Sequence, residues 1–141
     1  MNELCRAEVY EFHRFLVKWF TGRERPDKLL FVEFSDVLAP DFRLVSPAGR
    51  IFTRTELEAR VWEAYGAHGR DPNPFRVWVE RFEGRPLGEG HHLVLYEEWQ
   101  EVKGETKVRQ SSAVFRKSEH ARNGVDWVHV HETWLATPET S

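Results

Sequence analysis

The chain has 141 residues, with 20 Lys+Arg against 23 Asp+Glu and a net charge of −3, the two signs being interspersed. No basic block supplies the phosphate-neutralising charge of a nucleic-acid binder, and no stretch is long and apolar enough to span a membrane. The length suits one domain, 1–141, around one core; the single cysteine excludes an internal disulfide, and the absence of a basic-then-apolar leader makes the cytoplasm the expected address.

Residues 2–20 place Leu4, Val9, Phe12, Phe15 or Leu16, Trp19 and Phe20 at three- and four-residue steps, with Arg6, Glu8, Glu11, Arg14 and Lys18 between them. That spacing predicts an amphipathic helix, stopped at Gly22, with Cys5 as a small core residue. Residues 28–37 read as a second, short helix, because Leu29, Leu30, Phe34, Val37 and Leu38 lie near one helical face. Residues 41–47, the turn Pro47-Ala48-Gly49-Arg50 and Ile51-Phe52 predict a small hairpin. Thr53-Arg54-Thr55-Glu56 is a capping box, opening a third helix through Leu57, Val61, Trp62 and Tyr65 that ends near Gly66 to Gly69. Pro72 and Pro74 bar its continuation.

From Phe75 the period changes to two. Phe75, Val77 and Val79 share one face and Trp78 and Phe82 the other; the strands 90–102, 106–116 and 125–136 follow, separated by glycine-bearing turns. With Lys103-Gly104 as the turn, Glu98 faces Arg109, Tyr96 faces Ser111 and Val94 faces Ala113. One face then carries His92, Val94, Tyr96, Glu98, Gln100, Arg109, Ser111, Ala113 and Phe115. The other carries Leu93, Leu95, Glu97, Trp99, Val108, Gln110, Ser112 and Val114. On the last strand Trp127, His129, His131 and Thr133 oppose Val128, Val130, Glu132 and Trp134. The expected architecture is α+β: a cone-shaped curved antiparallel sheet of four long strands plus the hairpin, covered by about three N-terminal helices. Large apolar groups on both faces predict helices on one and a second copy of the chain on the other, a homodimer through the outer sheet face.

The succession Trp19-Phe20-Thr21-Gly22, Ala39-Pro40-Asp41-Phe42, Ser46-Pro47-Ala48-Gly49 and Trp127-Val128-His129-Val130-His131 resembles the nuclear transport factor 2-like superfamily, of cystatin-like fold. That superfamily includes ketosteroid isomerase, SnoaL-like cyclases and a kinase association domain. Tyr96-Glu97-Glu98-Trp99-Gln100 and His129 to Trp134 look most like its small bacterial members. At the positions where the isomerase carries its Tyr, base Asp and protonated Asp, this chain has Phe15, Ser46 and Ala113, so steroid isomerisation is excluded by residue content. Similarity to the association domain implies a cavity lined by Tyr96, Glu98, Arg109, Ser111, Val130, Glu132 and Trp134. Two carboxylates around an arginine suit a small-molecule site, or, as in carboxylate-Arg-carboxylate hydrolases of the superfamily, water activation; paired buried charges are the structural alternative.

His129 and His131 point the same way and are weak metal candidates lacking a third ligand of obvious spacing; no cofactor is implied. His13, His68 and His120 are expected to be solvated. Ser111-Ser112 has no nucleophile elbow, and Gly84, Gly88 and Gly90 have no following helix to cradle phosphate. Arg43, Arg54 and Arg60 fall near the expected cavity mouth.

Three functions follow. The first is a dimeric domain binding a small, partly apolar molecule. The second is a cofactor-independent hydrolase, dehydratase or cyclase using Glu98 or Glu132 as base. The third is a protein association module with a vestigial pocket.

Overall fold

The computed structural model describes residues 1–23 and 25–135. Helix α1 (Asn2–Thr21) buries Cys5, Val9, Phe15 and Trp19 and stops at Gly22, whose left-handed φ of 66° lets its N–H return to the Trp19 carbonyl. Helix α2 (Lys28–Ser35) is launched by Asp27, which accepts from the Leu29 N–H. It ends two residues short of the expected Val37. Val37, Leu38 and Ala39 are all buried, and the Trp127 N–H donates to the Val37 carbonyl at 2.7 Å, so sheet pairing captures residues whose spacing also suits a helix.

Strand β1 (Leu38–Val45) turns into β2 (Ile51–Thr53), and Thr53 caps α3 (Arg54–Glu63). Both arms of the capping box are present: the Glu56 N–H donates to Thr53 Oγ at 3.2 Å and the Thr53 N–H to Glu56 Oε1 at 3.0 Å. The long strands are β3 (Arg76–Pro86), β4 (His91–Val102), β5 (Glu105–Lys117) and β6 (Val125–Trp134). Ala136, placed at the end of the last strand, and the tail 138–141 lie outside the described residues.

The fold is α+β, with one six-stranded curved sheet in the order β2-β1-β6-β5-β4-β3. The pairings of Glu98 with Arg109, Tyr96 with Ser111 and Val94 with Ala113 are those the turn at Lys103-Gly104 dictates. The hairpin belongs to this sheet through β1, which runs parallel to β6 with Leu44 opposite Val130, so the sheet is not antiparallel throughout.

Two bulges correct the expected faces. Between β5 and β6 the register shifts beside Val114, and Val128 becomes the extra residue. Trp127 is thereby turned inward, 1% exposed against Phe115, instead of sharing the outer face with His129 and His131. Between β3 and β4 the shift falls at Arg81, whose φ is 54°, and it swings Phe82 onto the core side, away from Trp78.

Glu8 is also corrected. Expected on the polar side of α1, it is fully buried at the closed end of the cone. Arg122 Nε and Nη2 donate to its two oxygens at 3.0 Å, and Asn123 Nδ2 and Trp127 Nε1 donate at 3.2 and 3.0 Å. This satisfied carboxylate ties α1 to the β5–β6 loop. Among the described residues no helix is long and apolar enough to cross a membrane.

Candidate functional site: a cavity between the first helix and the sheet

The open end of the cone contains a cavity of about 520 Å³. Its walls are aromatic, formed by Phe12 and Phe20 of α1, Phe52 of β2 and Phe75 before β3, with His68 stacked on Phe75 at 4.3 Å. Its polar end is Tyr96, Glu98, Arg109 and Glu132, all brought inward by strand parity.

Glu98 is held on all sides. His13 Nε2 lies 2.8 Å from its Oε1, Arg109 Nη2 donates to Oε2 at 2.5 Å, and Gln100 Nε2 donates to the same oxygen. Burial pushes this carboxyl up, but the His13 hydrogen bond and the Arg109 charge outweigh it and hold it down to about 2. Glu132 has less support. Its ion pair among the described residues is with Arg109 Nη2 at 3.2 Å, and burial, aided by the Glu98 charge, raises it to about 7 despite Arg109. Burial likewise raises the Tyr96 phenol well above its usual range, with Glu98 and Glu132 adding to it. Two carboxylates sharing one guanidinium therefore differ in role: Glu98 is a fixed anion, and Glu132 exchanges its proton near neutrality.

Arg109 Nε is a buried donor without a hydrogen-bond partner among the described residues.

His13 is a site residue that its sequence context concealed. Expected in solvent, it is 3% exposed, with Nδ1 2.7 Å from the Val9 carbonyl and Nε2 on Glu98. Its signal was its place one turn after Val9 and beside Phe12 and Leu16, on the buried stripe of α1. Three of the expected wall residues do not line the cavity. Ser111 and Val130 are buried behind the wall, the Ser111 hydroxyl beside the Tyr96 phenol. Trp134 is 46% exposed, outside the cavity, with Arg109 and Lys107 over its ring at 5.5 and 5.7 Å.

His129 and His131 sit opposite Val114 and Ser112 on the outer face, and no group of three metal-ligating side chains occurs among the described residues. His92 is buried at the closed end, its Nε2 2.9 Å from Asn2 Oδ1. Cys5 is buried and its thiol is pushed up to about 11, chiefly by burial. Of the arginines expected at the mouth, Arg60 lines the cavity, whereas Arg54 pairs with Glu58 and Arg43 donates to backbone carbonyls of its own strand.

A family model described as sucrose-6-phosphate phosphohydrolase C-terminal matches residues 5–136. Sucrose-phosphatase 1 of Nicotiana tabacum is 29% identical over 137 residues, which are 95% of this chain and 31% of that protein. The chain thus spans about a third of the length of the curated relative. Among solved structures, an NTF-2-like protein of unknown function from Pseudomonas aeruginosa superposes with a TM-score of 0.81 at 20% identity, over 94% of this chain and 99% of that one. The β subunit of benzoate 1,2-dioxygenase from Burkholderia mallei gives 0.68 at 14% identity, over 97% and 95%. These likenesses show a nuclear transport factor 2-like, cystatin-like fold.

Proposed function

Because the chain belongs to the sucrose-6-phosphate phosphohydrolase C-terminal family, we propose that it is a cytoplasmic, dimeric binding module that holds a small, partly apolar molecule, a sugar, for a sugar-phosphate phosphatase. The observation that carries the reading is an aromatic-walled cavity of about 520 Å³ that ends on Tyr96, Glu98, Arg109 and Glu132. That volume lies within the roughly 300–1,000 Å³ range of small-molecule sites. Sugar rings present C–H faces to aromatic walls, and their hydroxyls donate to carboxylates and accept from guanidinium. Tyr96, Glu98, Arg109 and Glu132 offer both kinds of partner.

The outer face supports the dimer. Leu93, Leu95, Trp99, Val108 and Val114 are only half-buried there, and Trp78 stacks on Trp99 across β3 and β4.

A thermal-shift panel of sucrose, sucrose 6-phosphate, glucose and decanoate tests the reading. The expected result is stabilisation by a sugar, lost in Arg109→Ala. Stabilisation by decanoate alone, or a sugar effect unchanged in that variant, contradicts it. A second reading is favoured by Glu132 alone: a carboxyl raised to about 7, with one ion-pair partner among the described residues, suits a general base in a cofactor-independent reaction. Turnover abolished in Glu132→Gln with binding retained marks that reading; Glu98, tied to three partners, is unsuited to the role.

A further inference from the structure

Two guanidiniums stand at the mouth of the cavity on opposite elements. Arg50 follows the turn between β1 and β2, and Arg60 lies on α3. Both line the cavity and both are exposed, and both lie over the ring of Phe52, at 4.5 and 4.9 Å from its centroid. The ring of Phe52 is itself buried and serves as a fixed platform. A guanidinium resting on a ring leaves its N–H edge free, and it is the edge that recognises oxyanions.

Neither arginine has a hydrogen-bonded or ion-paired side-chain partner among the described residues. The nearby carboxylates are committed elsewhere. Glu56 feels the Arg50 charge but accepts from the Thr53 N–H in the capping box, and Glu58 pairs with Arg54 at 3.3 Å. The backbone carrying Arg50 is fixed: its N–H donates to Ser46 Oγ at 3.2 Å, and the Ser46 N–H donates to its carbonyl at 2.9 Å.

The inner end presents the opposite chemistry, two carboxylates about one arginine, of which Glu98 is a fixed anion. At that end the Arg109 charge is already taken up by Glu98 and Glu132, so an anionic group entering the cavity finds its uncommitted guanidiniums at the lip. The distribution of charge thus orients a guest, neutral body inward and anion outward.

We propose that Arg50 and Arg60 form an oxyanion site at the cavity mouth, which takes the phosphoryl or carboxylate group of a molecule whose neutral body fills the cavity. The proposal rests on the cavity being a ligand site, but the mouth can be tested without a body.

The experiment titrates the wild-type protein with inorganic phosphate, and separately with acetate, at constant ionic strength set by chloride, and reads the arginine side-chain N–H resonances. Phosphate should move the Arg50 and Arg60 signals in saturable fashion, and Arg50→Ala/Arg60→Ala should weaken its binding at least tenfold. Arg76→Ala, which removes an exposed arginine over Trp78 away from the cavity, should leave the affinity unchanged. Acetate binding as well as phosphate identifies a general oxyanion site; acetate silence identifies a phosphoryl site, and either supports the proposal. Non-saturable shifts, or equal affinity in the double variant, overturn it. If phosphate fails while a neutral sugar still stabilises the protein through Arg109, the mouth proposal falls and the cavity reading stands. If phosphate binds through the two arginines while no sugar has any effect, the mouth site stands and the sugar-binding cavity falls.

Discussion

His13 Nε2 lies 2.8 Å from Glu98 Oε1 while the other ring nitrogen lies 2.7 Å from the Val9 carbonyl, so one imidazole joins the helix backbone to the polar end of the cavity. Both neighbours are acceptors, and both contacts are satisfied only when each nitrogen carries a hydrogen. The contact makes α1 part of the site.

His13→Ala removes the first of the interactions that hold Glu98 down to about 2 against burial. A carboxyl lowered in the folded state stabilises the fold above its unfolded value near 4.5, and that contribution fades as pH falls toward 2. The variant should lose about 1–3 kcal/mol at neutral pH, the usual worth of a hydrogen bond to a charged group. Its deficit should narrow on acidification, because the wild-type advantage is the part that protonation removes. Urea unfolding at pH 3 and pH 7 measures this; a deficit that widens in acid contradicts it.

Glu132 acts with the opposite sign. Its folded value is raised from 4.5 to about 7, so its contribution is fully present below 4.5 and is lost as pH rises through 7. The shift corresponds to about 3 kcal/mol at most. Glu132→Gln should flatten the decline in stability between pH 5 and pH 8 and should exceed wild type at the upper end. Thermal unfolding across that window checks it, and parallel curves for the two proteins count against the assignment.

Glu8→Ala should cost about 1–3 kcal/mol, because it leaves the buried indole N–H of Trp127 without its acceptor and Arg122 and Asn123 with Glu11 alone. Glu8→Gln keeps an acceptor and should cost less. Equilibrium unfolding of the two variants orders them, and equal losses contradict the carboxylate's central role.

The outer face gives a prediction about assembly. Wild type should be a dimer at micromolar concentration by light scattering, and Leu95→Glu should shift it to monomer without loss of secondary structure. A monomeric wild type removes the proposed interface.

Much of the architecture was legible in the chain. Gly22, the Thr53–Glu56 box and the Lys103-Gly104 turn each fix geometry through local chemistry, and the turn alone sets the pairing of Glu98 with Arg109. What escaped depends on distant partners. A bulge inverts parity without a mark in the alternation, which is why Trp127 and Phe82 changed faces. The parallel pairing of β1 with β6 joins segments distant in sequence, and no local pattern specifies it. Glu8 and His13 looked polar and therefore external; each is buried because its charge or hydrogen-bonding groups find partners on the sheet or its loops. Counting in twos put Glu132 on the face of Val130, in a short run free of bulges, and the resemblance to the association domain chose that face as the inner one.

The proposed sugar would lie between the aromatic walls against Arg109. The most direct test of that placement is intermolecular nuclear Overhauser spectroscopy of the protein with sucrose. Contacts from sugar C–H groups to the rings of Phe12, Phe75 and Tyr96 are the expected result. Contacts confined to Leu93, Leu95 and Trp99 on the outer face would contradict it.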